Sequence, residues 1–259
     1  FSRIAASNEI MWRDIFFNNK KNILKAINLF IKNLNSFKKD INSKNNKSIL
    51  KKLIAVDGFD TGYGTITEAD WEQYINNISN AINVQKKDSV FEVGCGAGAF
   101  LYKFYQEGNK IGGVDYSDKL INIAKKYLVN GSFIVDEANN LDAKERYDFV
   151  ISNSVFFYFP SYQYAEEVLK KMVSKSIKCI AILEVNDLAQ KEKSMMIRKG
   201  CMSDQEYERK YRGLEHLYFE RDWFRYFAEK NDLRIEIQQQ NINNYQNNQY
   251  RFNVYMWKK

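Results

Sequence analysis

The sequence predicts an α/β fold, a largely parallel sheet with helices on both faces, preceded by a helical extension. Three observations lead there. An apolar strand starting at Val90 runs into Glu92 and breaks at Gly94, Gly96 and Gly98; strand and helix patterns then alternate to the C-terminus; and the first 55 residues are helical in pattern and basic. Glycine has no β-carbon, so the backbone can turn sharply and a ligand can approach the main chain. The open end of a parallel strand is where such sheets bind ligands, which makes a nucleotide-like ligand the expectation at Gly94 to Gly98.

The 259 residues suit one α/β domain and an appendage. Three cysteines, Cys95, Cys179 and Cys201, show neither metal nor redox spacing, so no metal is expected and a reducing, cytoplasmic setting is. No apolar run approaches the roughly 20 residues that span a bilayer. The start at Phe1, without an initiator Met or a signal-peptide layout, reads as a piece of a longer protein. The net charge of +7 is uneven: residues 1–55 hold 12 Lys or Arg against 3 acids, the rest 27 against 29. The larger part therefore lacks the basic balance that phosphate backbones demand, and nucleic acid is not an expected partner.

The dinucleotide fingerprint places two residues before its third glycine; here only Ala97 intervenes, and an acid, Glu92, precedes the first. This acid-x-Gly-x-Gly-x-Gly run resembles the first motif of the class I S-adenosylmethionine-dependent methyltransferases, and the resemblance extends from about Gly64 to the C-terminus. It implies a seven-stranded Rossmann-like sheet whose last strand inserts antiparallel, and S-adenosylmethionine as cofactor.

Elements follow in order. Ile23, Ile27, Phe30, Leu34, Phe37 and Ile41 recur at steps of four and three within a helical pattern from Glu9 to about Ile54. Such a stripe needs a partner. Phe1 to Ile15, followed by Asn18 or Asn19 and the long helix, resembles the C-terminal dimerisation region of prephenate dehydrogenases. That implies a homodimer through these helices and an upstream dehydrogenase domain in a larger fusion protein; it implies no dehydrogenase activity here. Residues 1–56 are assigned to this segment, 57–66 to a glycine-broken linker, and 67–259 to the methyltransferase domain.

Thr67 and Asp70 open a helix with Trp71, Tyr74, Ile75, Ile78 and Ile82. In the family a helix here often lies across the cofactor, which places Tyr63 and Trp71 at the pocket, with core packing the competing reading. A helix near Ala99 carries Phe100, Leu101 and Phe104. The second strand ends at Asp115, whose carboxylate can accept from ribose hydroxyls, with Tyr116 beside it. The third, from Ser132, ends at Asp136, Glu137 and Ala138; the resemblance implies an acid followed by Ala near the adenine amino group, which Glu137-Ala138 fits with Asp136 as the neighbouring alternative, and since successive strand residues alternate faces only one of the two acids is expected to reach the base. Gly94, Cys95, Gly96, Gly98 and Asn153 complete the expected cofactor set.

Tyr147 to Ser154 forms the fourth strand and its exit. Enzymes that methylate base or glutamine amines resemble one another in an Asn-Pro-Pro-Tyr type loop; Ser152, Asn153 and Ser154 stand here instead, arguing against such targets. The aromatic run Phe156 to Phe159 divides between chamber wall and core. A helix over Tyr164 to Met172 leads to a buried strand, Cys179 to Val185. An irregularly helical insertion, about 188–218, is read as the substrate cover. Trp223 to Phe227 then forms a helix, and Leu233 to Ile237 and Tyr250 to Trp257 form strands.

A sulfonium methyl is already activated, so the chemistry asks for a positioned nucleophile and management of one proton. His216, the single histidine, titrates near neutrality when unperturbed and is the candidate base, with Tyr211 and Tyr218 as weaker candidates and a merely pocket-lining role as the alternative. The leading expectation is methyl transfer to an oxygen or nitrogen of a small-molecule metabolite. The alternatives are C-methylation of an aromatic-pathway metabolite, or a cofactor-binding but catalytically idle domain on a dimerising arm.

Overall fold

A computed structural model describes residues 20–21, 24–25, 28–31, 46–58, 66–200, 202–211 and 215–259. The chain divides into two compact units, 1–52 and 53–259. In the first, residues 20–21, 24–25 and 28–31 are helical and exposed, Phe30 among them. The other stripe residues lie outside the described set.

The second unit is built on seven strands: β1 Ser89–Val93, β2 Lys110–Asp115, β3 Ser132–Val135, β4 Tyr147–Asn153, β5 Ser176–Asn186, β6 Leu233–Gln239 and β7 Arg251–Lys258. Their order across the sheet is β3-β2-β1-β4-β5-β7-β6. The pairs among β1 to β5 are parallel, and β7 lies antiparallel to both β5 and β6. The seven-stranded sheet with an antiparallel insertion is thus the one the sequence implies. Because β2 and β4 flank β1, the chain reverses direction across the sheet there, and a crevice opens beyond the carboxyl ends of these strands.

From residue 46 on, the α-helices among the described residues are α1 Asn46–Val56, α2 Glu68–Ile82, α3 Tyr102–Gln106, α4 Asp118–Tyr127, α5 Tyr162–Lys175, α6 Lys191–Lys199, α7 Asp204–Tyr211 and α8 Arg221–Lys230. Thr67 and Asp70 close a capping box on α2, each side chain taking the other's backbone N–H, and Asn83 ends the helix in the left-handed conformation. Trp71, Tyr74, Ile75, Ile78 and Ile82 are buried as the spacing predicts. On one side of the sheet, Val168, Leu169 and Met172 of α5 and Phe224 and Phe227 of α8 join Val150, Ile180, Ile182 and Val254 in a continuous core.

Two boundaries differ from the pattern. The helix expected near Ala99 begins at Tyr102, because residues 97–101 stay in a turn whose Ala97 and Ala99 N–H groups go to the Asp57 carboxylate. The third strand stops at Val135, and residues 138–140 form a 3₁₀ turn. No helix among the described residues is long and apolar enough to cross a membrane.

Candidate active site

The glycine turn is held open by its own backbone. Gly94, Gly96 and Gly98 take φ of 75°, 53° and 89°, which only glycine adopts readily. Gly94 and Cys95 both donate to the Val114 carbonyl, at 2.7 and 3.0 Å, and Gly96 donates to Asp115 Oδ2 at 2.9 Å. A β-carbon at Gly94 would lie 2.3 Å from a Val155 methyl, and one at Gly96 2.4 Å from Asp57 Oδ1. The turn is therefore a cradle that any side chain would fill.

Three carboxylates converge on it. Asp115, at the end of β2, also accepts from Ser117 N–H at 2.9 Å. Asp57 accepts from Ala97 at 2.7 Å and Ala99 at 3.2 Å. Burial pushes its carboxyl up to about 7, against the pull of those two bonds and with the charge of Asp115 adding to the rise. Glu92 is buried, and its Oε2 has no hydrogen-bond partner among the described residues. Burial first, then Asp57 and Asp115, raises the Glu92 carboxyl well above its ordinary value. Burial likewise raises the Cys95 thiol, which keeps it protonated and a poor nucleophile. At the β3 exit, Asp136 accepts from Asn140 Nδ2 at 2.7 Å and from Glu137 N–H at 2.8 Å, and these bonds lower its carboxyl. Glu137 accepts from the Tyr164 hydroxyl at 3.3 Å.

A cavity of about 950 Å³ runs from this acidic end to a second end of opposite character. There the segment 215–219 is pinned down: Leu217 N–H donates to the Phe157 carbonyl and Phe219 N–H to Asn186, both at 2.9 Å. The His216 ring lies 4.8 Å from Phe157 and 5.0 Å from Tyr158. Its Nε2 is 3.5 Å from Nη2 of Arg198 on α6. Burial, and then the guanidinium charges of Arg198 and Arg251, hold the imidazole at about 3. Arg251, at the start of β7, stacks over Phe157 at 4.7 Å and pairs with the fully buried Glu184. Burial alone would weaken the Arg251 charge, but Glu184 outweighs it and keeps the guanidinium protonated.

Glu184 organises this end. It sits at φ 63° in a bulge where β5 pairs with β7, and it accepts from Gln240 at 2.5 Å, Tyr245 at 2.7 Å and Ser154 at 3.3 Å. Tyr74 of α2 donates to Asn153 at 2.9 Å and so fixes the amide at the β4 exit.

Of the residues named from sequence, Glu92, Gly94, Cys95, Gly96, Asp115, Tyr116, Asp136, Glu137, Ala138, Asn153, His216 and Tyr218 all line this cavity. Trp71 does not: it is wholly buried behind the turn, its indole donating to the Ala99 carbonyl at 3.2 Å, so it supports the loop from outside the crevice. Gly98 faces Leu128 of the neighbouring helical segment, whose methyl lies 2.9 Å from where its β-carbon would be. Tyr63 and the side chain of Tyr211 fall outside the described residues. Of the aromatic run, Phe156, Phe157 and Phe159 are buried while Tyr158 is exposed. Sequence reasoning missed Asp57, placed in the linker, along with Glu184, Arg198 and Arg251. Only Glu184 left a signal: it is the one acid in an otherwise apolar strand.

Fold and crevice together define a nucleoside-binding α/β domain of the methyltransferase type. Residues 84–249, more than half of the chain, match the family model described as a methyltransferase domain, and the chain belongs to that family. Residues 1–55 match the model of the prephenate dehydrogenase dimerization domain. Among curated proteins, malonyl-[acyl-carrier protein] O-methyltransferase 1 of Ilyobacter polytropus is 34% identical over 77 residues, 28% of this chain and 29% of that protein. A malonyl-[acyl-carrier protein] O-methyltransferase of Priestia megaterium is 31% identical over 123 residues, 45% of this chain and 44% of the relative. The chain thus spans less than half the length of the curated relatives it matches. Among solved structures, the magnesium protoporphyrin IX methyltransferase of Synechocystis PCC 6803 with bound SAH superposes with a TM-score of 0.57 at 15% identity, over 83% of this chain and all of that one. The plantazolicin methyltransferase BpumL, with a monoazolic analog and SAH, gives 0.55 at 15% identity, over 74% of this chain and 86% of that one. These two are likenesses of fold.

Proposed function

We propose that this chain transfers a methyl group from S-adenosylmethionine to an oxygen or nitrogen of a small-molecule metabolite. The observation that carries the reading is the acidic glycine cradle: a turn too tight for any β-carbon, faced by Asp57, Asp115 and a buried Glu92 with an unpartnered oxygen. Such a cradle fits a cationic nucleoside with an ammonium group and ribose hydroxyls. Asp115 would hold the sugar, Glu92 and Asp57 the ammonium end, and Asp136 or Glu137 with Ala138 the base. S-adenosylmethionine supplies a methyl already activated by its sulfonium.

What remains for the protein is to bind, orient and exclude water. Positioning alone can contribute about 7 to 11 kcal/mol in favourable cases. Asn153, fixed by Tyr74, and the wall of Phe157 and Tyr158 lie where the crevice opens toward the acceptor. His216 is neutral throughout the physiological range and weakly basic, which favours holding the acceptor over removing its proton. The activity named for the two curated relatives supports oxygen as the accepting atom. The match of residues 1–55 supports a homodimer, and a fusion to an upstream dehydrogenase in a longer parent. The buried, unpaired Cys95 and Cys179 suit a reducing, cytoplasmic setting.

Calorimetric titration tests the reading: S-adenosylhomocysteine is expected to bind while NAD gives no heat. Binding of NAD, or silence toward S-adenosylhomocysteine, overturns it.

A further inference from the structure

Asn153, the last residue of β4, is buried in the protein and lines the cavity. A carboxamide can offer a ligand either its oxygen or its two N–H donors, and which of them it offers depends on what holds its far side. Here the far side is held by a chain of hydrogen bonds whose direction is forced from its first link.

That link is a main-chain N–H, which can only donate: the N–H of Glu184 meets Asn253 Oδ1 at 2.9 Å. Asn253 therefore turns its Nδ2 to Gln240 Oε1, at 2.8 Å. A second main-chain donor, the N–H of Asn241, reaches the same Oε1 at 3.1 Å and fixes Gln240 in the same sense. Gln240 is left with Nε2 for the Glu184 carboxylate, at 2.5 Å, and for the hydroxyl oxygen of Tyr74, at 3.5 Å. Tyr74 has one hydrogen to give, and Gln240 offers it no acceptor. It goes to Asn153 Oδ1, at 2.9 Å. Turning the Asn153 amide over would set donor against donor and strand a buried hydroxyl hydrogen, which is costly.

The consequence lies on the other side of the amide. Nδ2 of Asn153 makes no hydrogen bond among the described residues, yet it is not sealed off from solvent, so its hydrogens open on the cavity. Tyr74, Glu184, Gln240 and Asn253 are all buried, where the members of such a chain polarise and strengthen one another.

We infer that Asn153 Nδ2 is a fixed hydrogen-bond donor to an oxygen of the methyl acceptor, and that Glu184, Asn253, Gln240 and Tyr74 are positioning residues that hold the amide in that sense. A carbonyl, ether or carboxylate oxygen has the lone pair this wall requires. An ammonium or an N–H edge placed there meets a donor and is refused, which makes Asn153 a determinant of specificity. The contact sets what the acceptor presents at this wall, independently of which atom takes the methyl. This inference rests on the methyltransferase reading.

The full chain is assayed with methyl-tritiated S-adenosylmethionine and a small-molecule extract, and the half-saturating extract concentration is compared between parent and variants alongside calorimetric binding of S-adenosylhomocysteine. Asn153→Asp keeps an oxygen for Tyr74 and deletes only the donor, so half-saturation is expected to rise about 10-fold or more with S-adenosylhomocysteine affinity unchanged. If that variant does not fold, Asn153→Ala, which drops the donor without adding charge, carries the same expectation. Tyr74→Phe releases the amide and is expected to raise half-saturation about 2- to 5-fold. Because Tyr74 acts through the amide, the double variant is expected to lose no more than the Asn153 variant alone. Additive losses assign Tyr74 to packing and overturn the relay. An unchanged half-saturation in the Asn153 variant overturns the donor contact, and a fall in S-adenosylhomocysteine affinity moves the amide to the cofactor and overturns it too; both leave the methyltransferase reading standing. No transfer by parent protein that binds S-adenosylhomocysteine overturns both.

Discussion

His216 and Asp57 are perturbed by the same force, burial, and respond with opposite effects on stability. An imidazole of ordinary value 6.5 is held at about 3 in the fold. The unfolded chain therefore binds the proton first, and this group erodes stability as pH falls from about 6.5 toward 3. Asp57 moves from 3.8 to about 7, so between those values the folded chain keeps a proton that the unfolded chain has released. It erodes stability as pH rises from about 4 to 7. In urea unfolding across this range, His216→Gln is expected to flatten the acid-side loss and Asp57→Asn the loss toward neutrality. A variant whose pH dependence parallels the parent's would show that the residue is not buried as described. Neither environment was legible in the chain: His216 stands among Leu and Tyr residues without its arginines, and Asp57 sits in a glycine-broken stretch that reads as linker.

At the scale of elements, β5 carries the most consequence. Its apolar run, Cys179 to Val185, predicts a strand covered on both faces; the strand extends from Ser176 to Asn186 and is buried from Cys179 on, with Ile177 and Lys178 exposed. The departure is the bulge between Ile182 and Val185, which turns Glu184 toward Arg251 of β7, Ser154 after β4, and Gln240 and Tyr245 of the β6–β7 connection. One carboxylate thereby ties together the segments that wall the acceptor end. Glu184→Ala leaves the Arg251 guanidinium buried without its counter-charge, and breaking such a pair typically costs about 3 to 5 kcal/mol. The expected urea-denaturation loss lies in that range; a loss below about 1 kcal/mol would mean that Arg251 finds water or another anion. The α2 capping box, by contrast, was readable from Thr67 and Asp70 alone, because a cap depends on four consecutive residues.

At the scale of the molecule, two units share one chain, and each was marked by its own kind of pattern. The basic segment matches a dimerization domain, and light scattering of the full chain is expected to give twice its 30.6 kDa mass; a monomer at micromolar concentration would refute self-association through residues 1–55. For the sheet, strand identity, the glycine turn and the acids at the ends of β1, β2 and β3 were determined by the sequence itself. Alternation, glycine conformation and strand-end placement are properties of a few neighbouring residues. Only tertiary structure decided which side chains meet across long separations. Arg198, His216 and Arg251 come from α6, the pinned segment before α8, and β7. Asp57 reaches the glycine turn across forty residues. Their convergence depends on strand order, on the antiparallel insertion of β7 and on a bulge whose partner lies far along the chain, and no short-range pattern encodes those distances.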